Sequence, residues 1–149
     1  MSNVESGTIA WAMPLVGTAA GGLSAGVTLS GSSVGVGRLV LTIAYIGALL
    51  EFTSLQKGSA APWRIFKAST APEAAAPTTT VLTLVLTEPG RERFKRLRIG
   101  TLVTLYFNVL TSETLETSLV LQAEPAAGTD QENRKAFTLT TSNALAALN

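Results

Sequence analysis

The clearest pattern in the sequence is an alternation of apolar and polar side chains between Thr78 and Thr87. Every second residue from Leu82 to Leu86 is leucine, and threonine or valine stands between them. A period of two is typical of a β-strand that buries one face. The turn-forming segment Glu88–Gly90 follows at once, so we predict that the strand ends there.

Four further segments are rich in threonine, valine, leucine and aromatic residues, and each has the length of a single strand. They are Trp63 to Ala68, Thr101 to Leu110, Glu116 to Glu124 and Lys135 to Thr141. The sequence pattern contains neither a repeating strand–helix alternation nor a long amphipathic helix. These features predict an all-β fold, an antiparallel β-sandwich or barrel with at most one or two short helices.

Two segments depart from the alternation. Arg38 to Phe52 is apolar on both faces, so we predict a central strand covered on both sides, with a bulge or bend at Gly47. Near the C-terminal end, Ser142 precedes the run Ala144–Leu148 and suits a helix cap. We predict a short helix there, which needs a docking surface to be stable.

Glycine and serine dominate the beginning of the chain. Glycine at this density weakens regular elements, although Thr8 to Trp11 and Gly26 to Leu29 could pair as strands. We therefore divide the chain into residues 1–37, a Gly/Ser-rich arm or irregular β segment, and residues 38–149, a β domain. Such an arm can be an ordinary glycine-rich β segment or can become ordered by lying across a neighbouring subunit.

Charge is scarce along the whole chain. Charged residues make up 14% of the sequence, the net charge is +1, and the hydrophobic fraction is 46%. Two interpretations fit: an uncharged, threonine-rich β protein, or a surface largely covered by other subunits. Residues 7–37 carry no charged side chain, but they are mostly glycine, serine, alanine and threonine, and the apolar run Leu39 to Leu50 is too short to span a bilayer. We do not expect a membrane partner.

The side chains of most neutral-pH catalysis are missing. The chain has no histidine and no cysteine, and Asp130 is its single aspartate. Glu113 and Glu116 are three residues apart, but nothing around them predicts the desolvated pocket that a paired-carboxylate mechanism needs. No phosphate-binding loop, dinucleotide motif or metal-ligand spacing occurs. The sequence therefore predicts a protein that is not an enzyme and that has no cofactor and no metal.

One basic segment stands out against this low charge, from Arg91 to Arg98. Its cations could contact another subunit, a polyanion or only solvent, and a nucleic-acid partner is the least favoured of the three. The candidate contact residues are Arg91, Arg93, Lys95, Arg96 and Arg98.

The aromatic residues have no regular spacing. Trp11 and Trp63 are the candidate aromatic anchors of a core or an interface. A stacking platform for sugars or bases that includes Tyr45 and Tyr106 is the alternative.

The run Gly21-Gly22-Leu23-Ser24-Ala25 is similar to a stretch in the N-terminal arm of lambda-type head decoration proteins. The glycine-rich start followed by a Thr/Val/Leu-rich β domain also resembles small virion structural proteins of tailed phages. This resemblance implies a non-catalytic homo-oligomer, such as a trimer, that clamps the outside of a capsid.

The leading hypothesis is accordingly a capsid decoration or small coat protein of a bacteriophage virion. Its partners would be identical subunits and other shell proteins. The alternative is an extracellular or cell-surface β-sandwich module that binds a glycan or a protein.

Overall fold

The computed structural model describes residues 5–31, 34–36, 38–59, 65–73, 78–87, 95–97, 99–126, 137–141 and 143–148. These residues form thirteen strands and, within the described ranges, no helix. The strands are β1 (Glu5–Trp11), β2 (Leu15–Gly17), β3 (Leu23–Gly31), β4 (Val34–Val36), β5 (Arg38–Ile46), β6 (Leu50–Lys57), β7 (Ile65–Pro72), β8 (Thr79–Thr87), β9 (Lys95–Leu97), β10 (Gly100–Val109), β11 (Leu115–Ala126), β12 (Phe137–Thr141) and β13 (Ala144–Leu148).

The strands form two large sheets and a small one. The five-stranded sheet has the order β12-β1-β3-β10-β6, the six-stranded sheet has the order β2-β13-β11-β5-β8-β7, and β4 pairs with β9. Neighbours are antiparallel except for β1 with β12 and β13 with β2, which are parallel. The predicted all-β sandwich is therefore confirmed.

The core lies between the inner faces of the two large sheets, where every second residue of the central strands is buried. On β8 these residues are Leu82, Leu84 and Leu86, as the alternation predicts, and each has no exposed surface. The five-stranded sheet contributes residues such as Val27 and Leu105 to the same cluster. Each leucine buried in this way contributes roughly 1.5–3 kcal/mol, so burial on alternate positions drives the assembly of the sandwich.

The chain changes sheets early. β1 pairs with β3 in the five-stranded sheet, whereas β2, three residues further on, pairs with β13 in the six-stranded sheet. The connection contains a cis bond between Met13 and Pro14. A tight turn then returns the chain to β3 through Gly22, whose φ of 73° lies in the left-handed region that glycine tolerates.

The prediction of one strand from Arg38 to Phe52 is wrong. Gly47 lies in a turn that separates β5 from β6, and the two strands belong to different sheets. β5 does lie centrally, between β11 and β8, but it is not covered on both sides. Its inward residues from Leu39 to Tyr45 are buried, whereas its outward residues Val40, Thr42 and Ala44 are only half-buried.

The predicted C-terminal helix is also wrong, because residues 144–148 form strand β13. β13 pairs with β11 along its whole length, and it buries Ala146 and Leu148 in the core. Five residues can make few hydrogen bonds inside a helix, whereas the edge of β11 offers partners for the same backbone groups. Ser142, the predicted cap, lies outside the described residues.

Strands from both predicted segments share the five-stranded sheet, since β1 and β3 come before residue 37, and β10 and β6 come after it. Residues 32, 33 and 37 lie outside the described ranges. The division into residues 1–37 and 38–149 stays a prediction.

Candidate binding face

The outward residues of β11, β5, β8 and β7 form a surface that we call the central face. The pairing registers place its residues in three rows that cross the six-stranded sheet. The first row is apolar, the second carries hydroxyl and amide groups, and the third is again apolar on β5 and β8. The rows are Val120, Ala44, Val81 and Ala71; Gln122, Thr42, Thr83 and Ser69; and Val40, Val85 and Lys67.

The central face is half-buried in its middle and exposed at its edge. Outward residues of β5 and β8 such as Thr42, Val81 and Thr83 are half-buried by their neighbours, whereas those of β7 from Lys67 to Ala71 are exposed. Among the described side chains of the three rows, Lys67 carries the one charge. Small β-branched side chains are stiff and lose little conformational freedom when another surface covers them.

A depression of about 420 Å³ lies at one end of the central face. It is lined by Thr42, Ala44, Glu73, Thr79, Val81, Val120 and Gln122. Apolar side chains and hydroxyl, amide and carboxylate groups are therefore available together. A concave site with a few polar groups among apolar ones is the usual form of a recognition site.

The outer face of the five-stranded sheet is different, because its described side chains are mostly polar and two pairs of them are joined by hydrogen bonds. The Tyr106 hydroxyl donates to Gln56 Oε1 at 2.9 Å, and Asn108 Nδ2 donates to Glu51 Oε1 at 3.0 Å. Thr53 lies at a register shift between β10 and β6, and its hydroxyl donates to the Tyr106 carbonyl at 3.0 Å. The two outer faces of the sandwich therefore differ in chemistry.

The basic segment falls largely outside the described residues, which include neither Arg91, Arg93 nor Arg98. Lys95 and Arg96 lie on β9, opposite Val36 and Gly35 of β4. Their role as contact residues stays a prediction.

Of the two tryptophans, only Trp11 lies within the described residues, and Trp63 lies outside them. Trp11 ends β1 with 5% of its surface exposed and belongs to the core cluster, and its indole Nε1 has no hydrogen-bond partner among the described residues. Whether either tryptophan anchors a partner stays a prediction.

Ionisable groups are few in the interior. Burial raises the pKa of the Tyr45 hydroxyl above its ordinary value, a hydrogen bond with the backbone of Phe52 lowers it, and the charge of Glu51 raises it. The Tyr45 ring packs edge-to-face on Phe107 at 5.1 Å. Within the described ranges, no group of three or more acidic residues could hold a metal ion.

The sequence pattern does not identify the central face, because it predicts one buried face for β8 and a strand covered on both sides for β5, and neither prediction points to a binding surface. Thr83 and Val85 alternate with buried leucines and carry no distinctive chemistry. The available signal was that β5 and β8 have almost no charge on either face, which is unusual for a strand face exposed to water.

No protein-family model matches the sequence, and no curated protein is significantly similar to it. Solved structures of cohesins are similar over almost the whole chain. The OlpA cohesin in a type I cohesin–dockerin complex from Clostridium thermocellum has a TM-score of 0.67 at 14% identity, covering 97% of this chain and 100% of that chain. The seventh ScaB type I cohesin from Pseudobacteroides cellulosolvens has a TM-score of 0.66 at 11% identity, covering 98% and 93%.

A non-cellulosomal cohesin from the archaeon Archaeoglobus fulgidus is similar as well. Its TM-score is 0.61 at 16% identity, and the match covers 97% of this chain and 91% of that chain. The chain has the cohesin fold.

The resemblance to phage head decoration proteins is therefore wrong. The similar folds are cohesins, and the run Gly21 to Ala25 belongs to the turn before β3 and to β3 itself. With the resemblance, the predictions of a virion location and of a shell made of identical subunits are also overturned, because similar cohesins were solved with dockerins. Five low-complexity residues at the start of a strand are too simple a pattern to identify a family.

The described part of the chain contains no helix that is long and apolar enough to pass through a membrane.

Proposed function

We propose that this chain is a non-catalytic protein-binding module, and that the central face is the surface on which its partner docks. The observation that carries the proposal is the arrangement of β5 and β8, which present an uncharged threonine row between two apolar rows. We also propose that the chain works outside the cell or at the cell surface.

The composition of the central face suits a protein partner. The cores of protein interfaces are depleted of charge and combine apolar contacts with a limited number of hydrogen bonds. The row of Thr42, Thr83 and Gln122 offers hydroxyl and amide groups, while the flanking valines and alanines offer apolar surface. The depression beside Val81 could accept one protruding side chain.

The fold similarity supports a particular class of partner. Several similar structures are cohesins in complex with dockerins, from Clostridium thermocellum and Acetivibrio cellulolyticus. We therefore propose a dockerin-like module as the partner of this chain.

The test is a Thr83→Lys substitution at the middle of the central face, compared with Thr104→Lys at the middle of the opposite sheet. Both threonines are outward and half-buried, so the two variants carry the same chemical change on opposite faces. Binding to a panel of purified type I dockerins would be measured by calorimetry, and folding by circular dichroism.

We expect Thr83→Lys to weaken dockerin binding at least about tenfold, because a lysine ammonium would be buried in the interface without a counter-charge. Thr104→Lys should leave the affinity unchanged. Failure of the whole panel to bind the unmodified chain, or equal effects of the two variants, would contradict the proposal.

A further inference from the structure

The outer face of the five-stranded sheet carries a cluster of side chains that would not contact a partner docked on the central face. We propose that Tyr106, with Gln56, Asn108 and Glu51 beside it, forms a binding site for a neutral saccharide chain. These four residues lie on the paired strands β10 and β6, and we call them the tyrosine patch.

The aromatic ring is the first requirement of such a site. Tyr106 is the outward residue between the buried Leu105 and Phe107, and it is half-buried. A tyrosine combines an apolar ring with a polar tip. The C–H face of a pyranose ring can stack on the tyrosine ring, while the sugar hydroxyls reach polar groups nearby.

Hydrogen bonds orient the neighbouring polar groups but leave some of their donors and acceptors available to a ligand. Gln56 Oε1 accepts from the Tyr106 hydroxyl, and Glu51 Oε1 accepts from Asn108 Nδ2. No further hydrogen bond within the described residues engages the Gln56 amide nitrogen, the Asn108 oxygen or the second Glu51 oxygen. The patch therefore offers amide donors together with amide and carboxylate acceptors, and adjacent sugar hydroxyls need both kinds of partner.

Small residues leave room on the other side of the ring. Across β3, Tyr106 faces Ser24, and the next outward residue is Gly26, opposite Thr104. A Cβ atom at Gly26 would approach only the side chain of Ala12, at 3.4 Å. The β3 residues beside Tyr106 are therefore small, which leaves room for a sugar ring above them.

The charge and polarity of the patch favour a neutral saccharide over other ligands. Glu51 is the one charged residue of the tyrosine patch, and its negative charge would repel a polyanion. A protein interface would need apolar contact area, yet the outward residues around Tyr106 are serine, threonine, glycine, glutamine and asparagine. Hydroxyl-rich, uncharged chains match this surface.

The probes are soluble neutral polysaccharides, namely a mixed-linkage β-glucan, a xylan and a galactomannan, each cast into a native polyacrylamide gel. We expect at least one of them to retard the unmodified chain relative to a non-binding reference protein. The matching hexasaccharide would then be titrated by calorimetry. Amide shifts in a heteronuclear spectrum should cluster on β10 and β6.

Tyr106→Ala should lower the association constant for that hexasaccharide about tenfold, because the stacking surface is lost. Tyr106→Phe keeps the ring and should lower the association constant by a smaller factor. Asn108→Ala, at an exposed position, should weaken binding even if Tyr106→Ala proves unstable. The control is Thr83→Lys, which should bind the hexasaccharide like the unmodified chain.

The proposal is overturned if none of the three polysaccharides retards the chain. It also fails if Tyr106→Ala and Asn108→Ala both bind normally, or if the shifts cluster on the six-stranded sheet. Loss of dockerin binding in Tyr106→Ala would assign the patch to a protein partner instead. The dockerin experiment uses a different variant and a different ligand, so either proposal can fail while the other holds.

Discussion

Thr117, like Trp11, carries a buried polar atom that has no hydrogen-bond partner among the described residues. It lies on β11 with 4% of its surface exposed, and the unpaired atom is its hydroxyl oxygen. Its neighbour across the sheet is Ala146 of β13. Leaving a buried hydroxyl unpaired costs roughly 1–3 kcal/mol.

Thr117→Val should therefore stabilise the fold by about 1 kcal/mol, because valine has nearly the same shape and no hydroxyl. Urea unfolding followed by circular dichroism measures the change. The matched control is Thr117→Ala, which also removes the hydroxyl but leaves a gap and should not stabilise the fold. A lower free energy of unfolding in the valine variant would mean that the hydroxyl has a partner.

At the scale of elements, β13 shows how a neighbouring strand overrides a local preference. Alanine and leucine favour a helix, yet residues 144–148 pair with β11 on one side and with β2 on the other. Next to it, Asn143 Oδ1 accepts a hydrogen bond from the Leu121 backbone N–H at 3.0 Å. The segment is thus tied to the six-stranded sheet along its length.

Leu148 and Leu145 test whether β13 contributes to the core, since they lie on opposite faces of this strand. Leu148 is fully buried and Leu145 is 54% exposed. Leu148→Ala should lower the free energy of unfolding by about 2–4 kcal/mol, and Leu145→Ala should change it by less than about 0.5 kcal/mol. Equal effects in thermal or urea unfolding would show that the strand is not docked as described.

β5 and β8 likewise show that the sequence of a single strand does not reveal a binding surface to which several strands contribute. Their inward residues are leucine and isoleucine, with Tyr45 near the end of β5, and this identifies the core face. Their outward residues are ordinary for a strand, and they become a candidate site only because four strands place them in register.

At the scale of the whole molecule, the sandwich separates two outer surfaces of different chemistry. The central face carries little charge and is partly apolar, whereas the tyrosine patch is polar. The hydrophobic core lies between them, with the sheets roughly 10 Å apart, so no side chain belongs to both surfaces.

If both proposals hold, the two ligands should bind independently. A saturating concentration of the hexasaccharide should change the dockerin dissociation constant by less than about twofold, since distant sites without shared partners are nearly additive. Calorimetric titration of the dockerin with and without the hexasaccharide measures this. Competition between the two ligands would indicate a shared or coupled surface.

The sequence by itself determined the all-β class and most of the strands, because alternation with a period of two reports directly which residues face a core. It also determined the scarcity of charge and the absence of histidine and cysteine. It did not determine that Gly47 ends a strand or that residues 144–148 extend a sheet, since both depend on which strand lies alongside. The tertiary structure decided these points, together with the central face and the tyrosine patch. Both surfaces bring together residues from separate strands, and only backbone hydrogen bonding between those strands sets their registers.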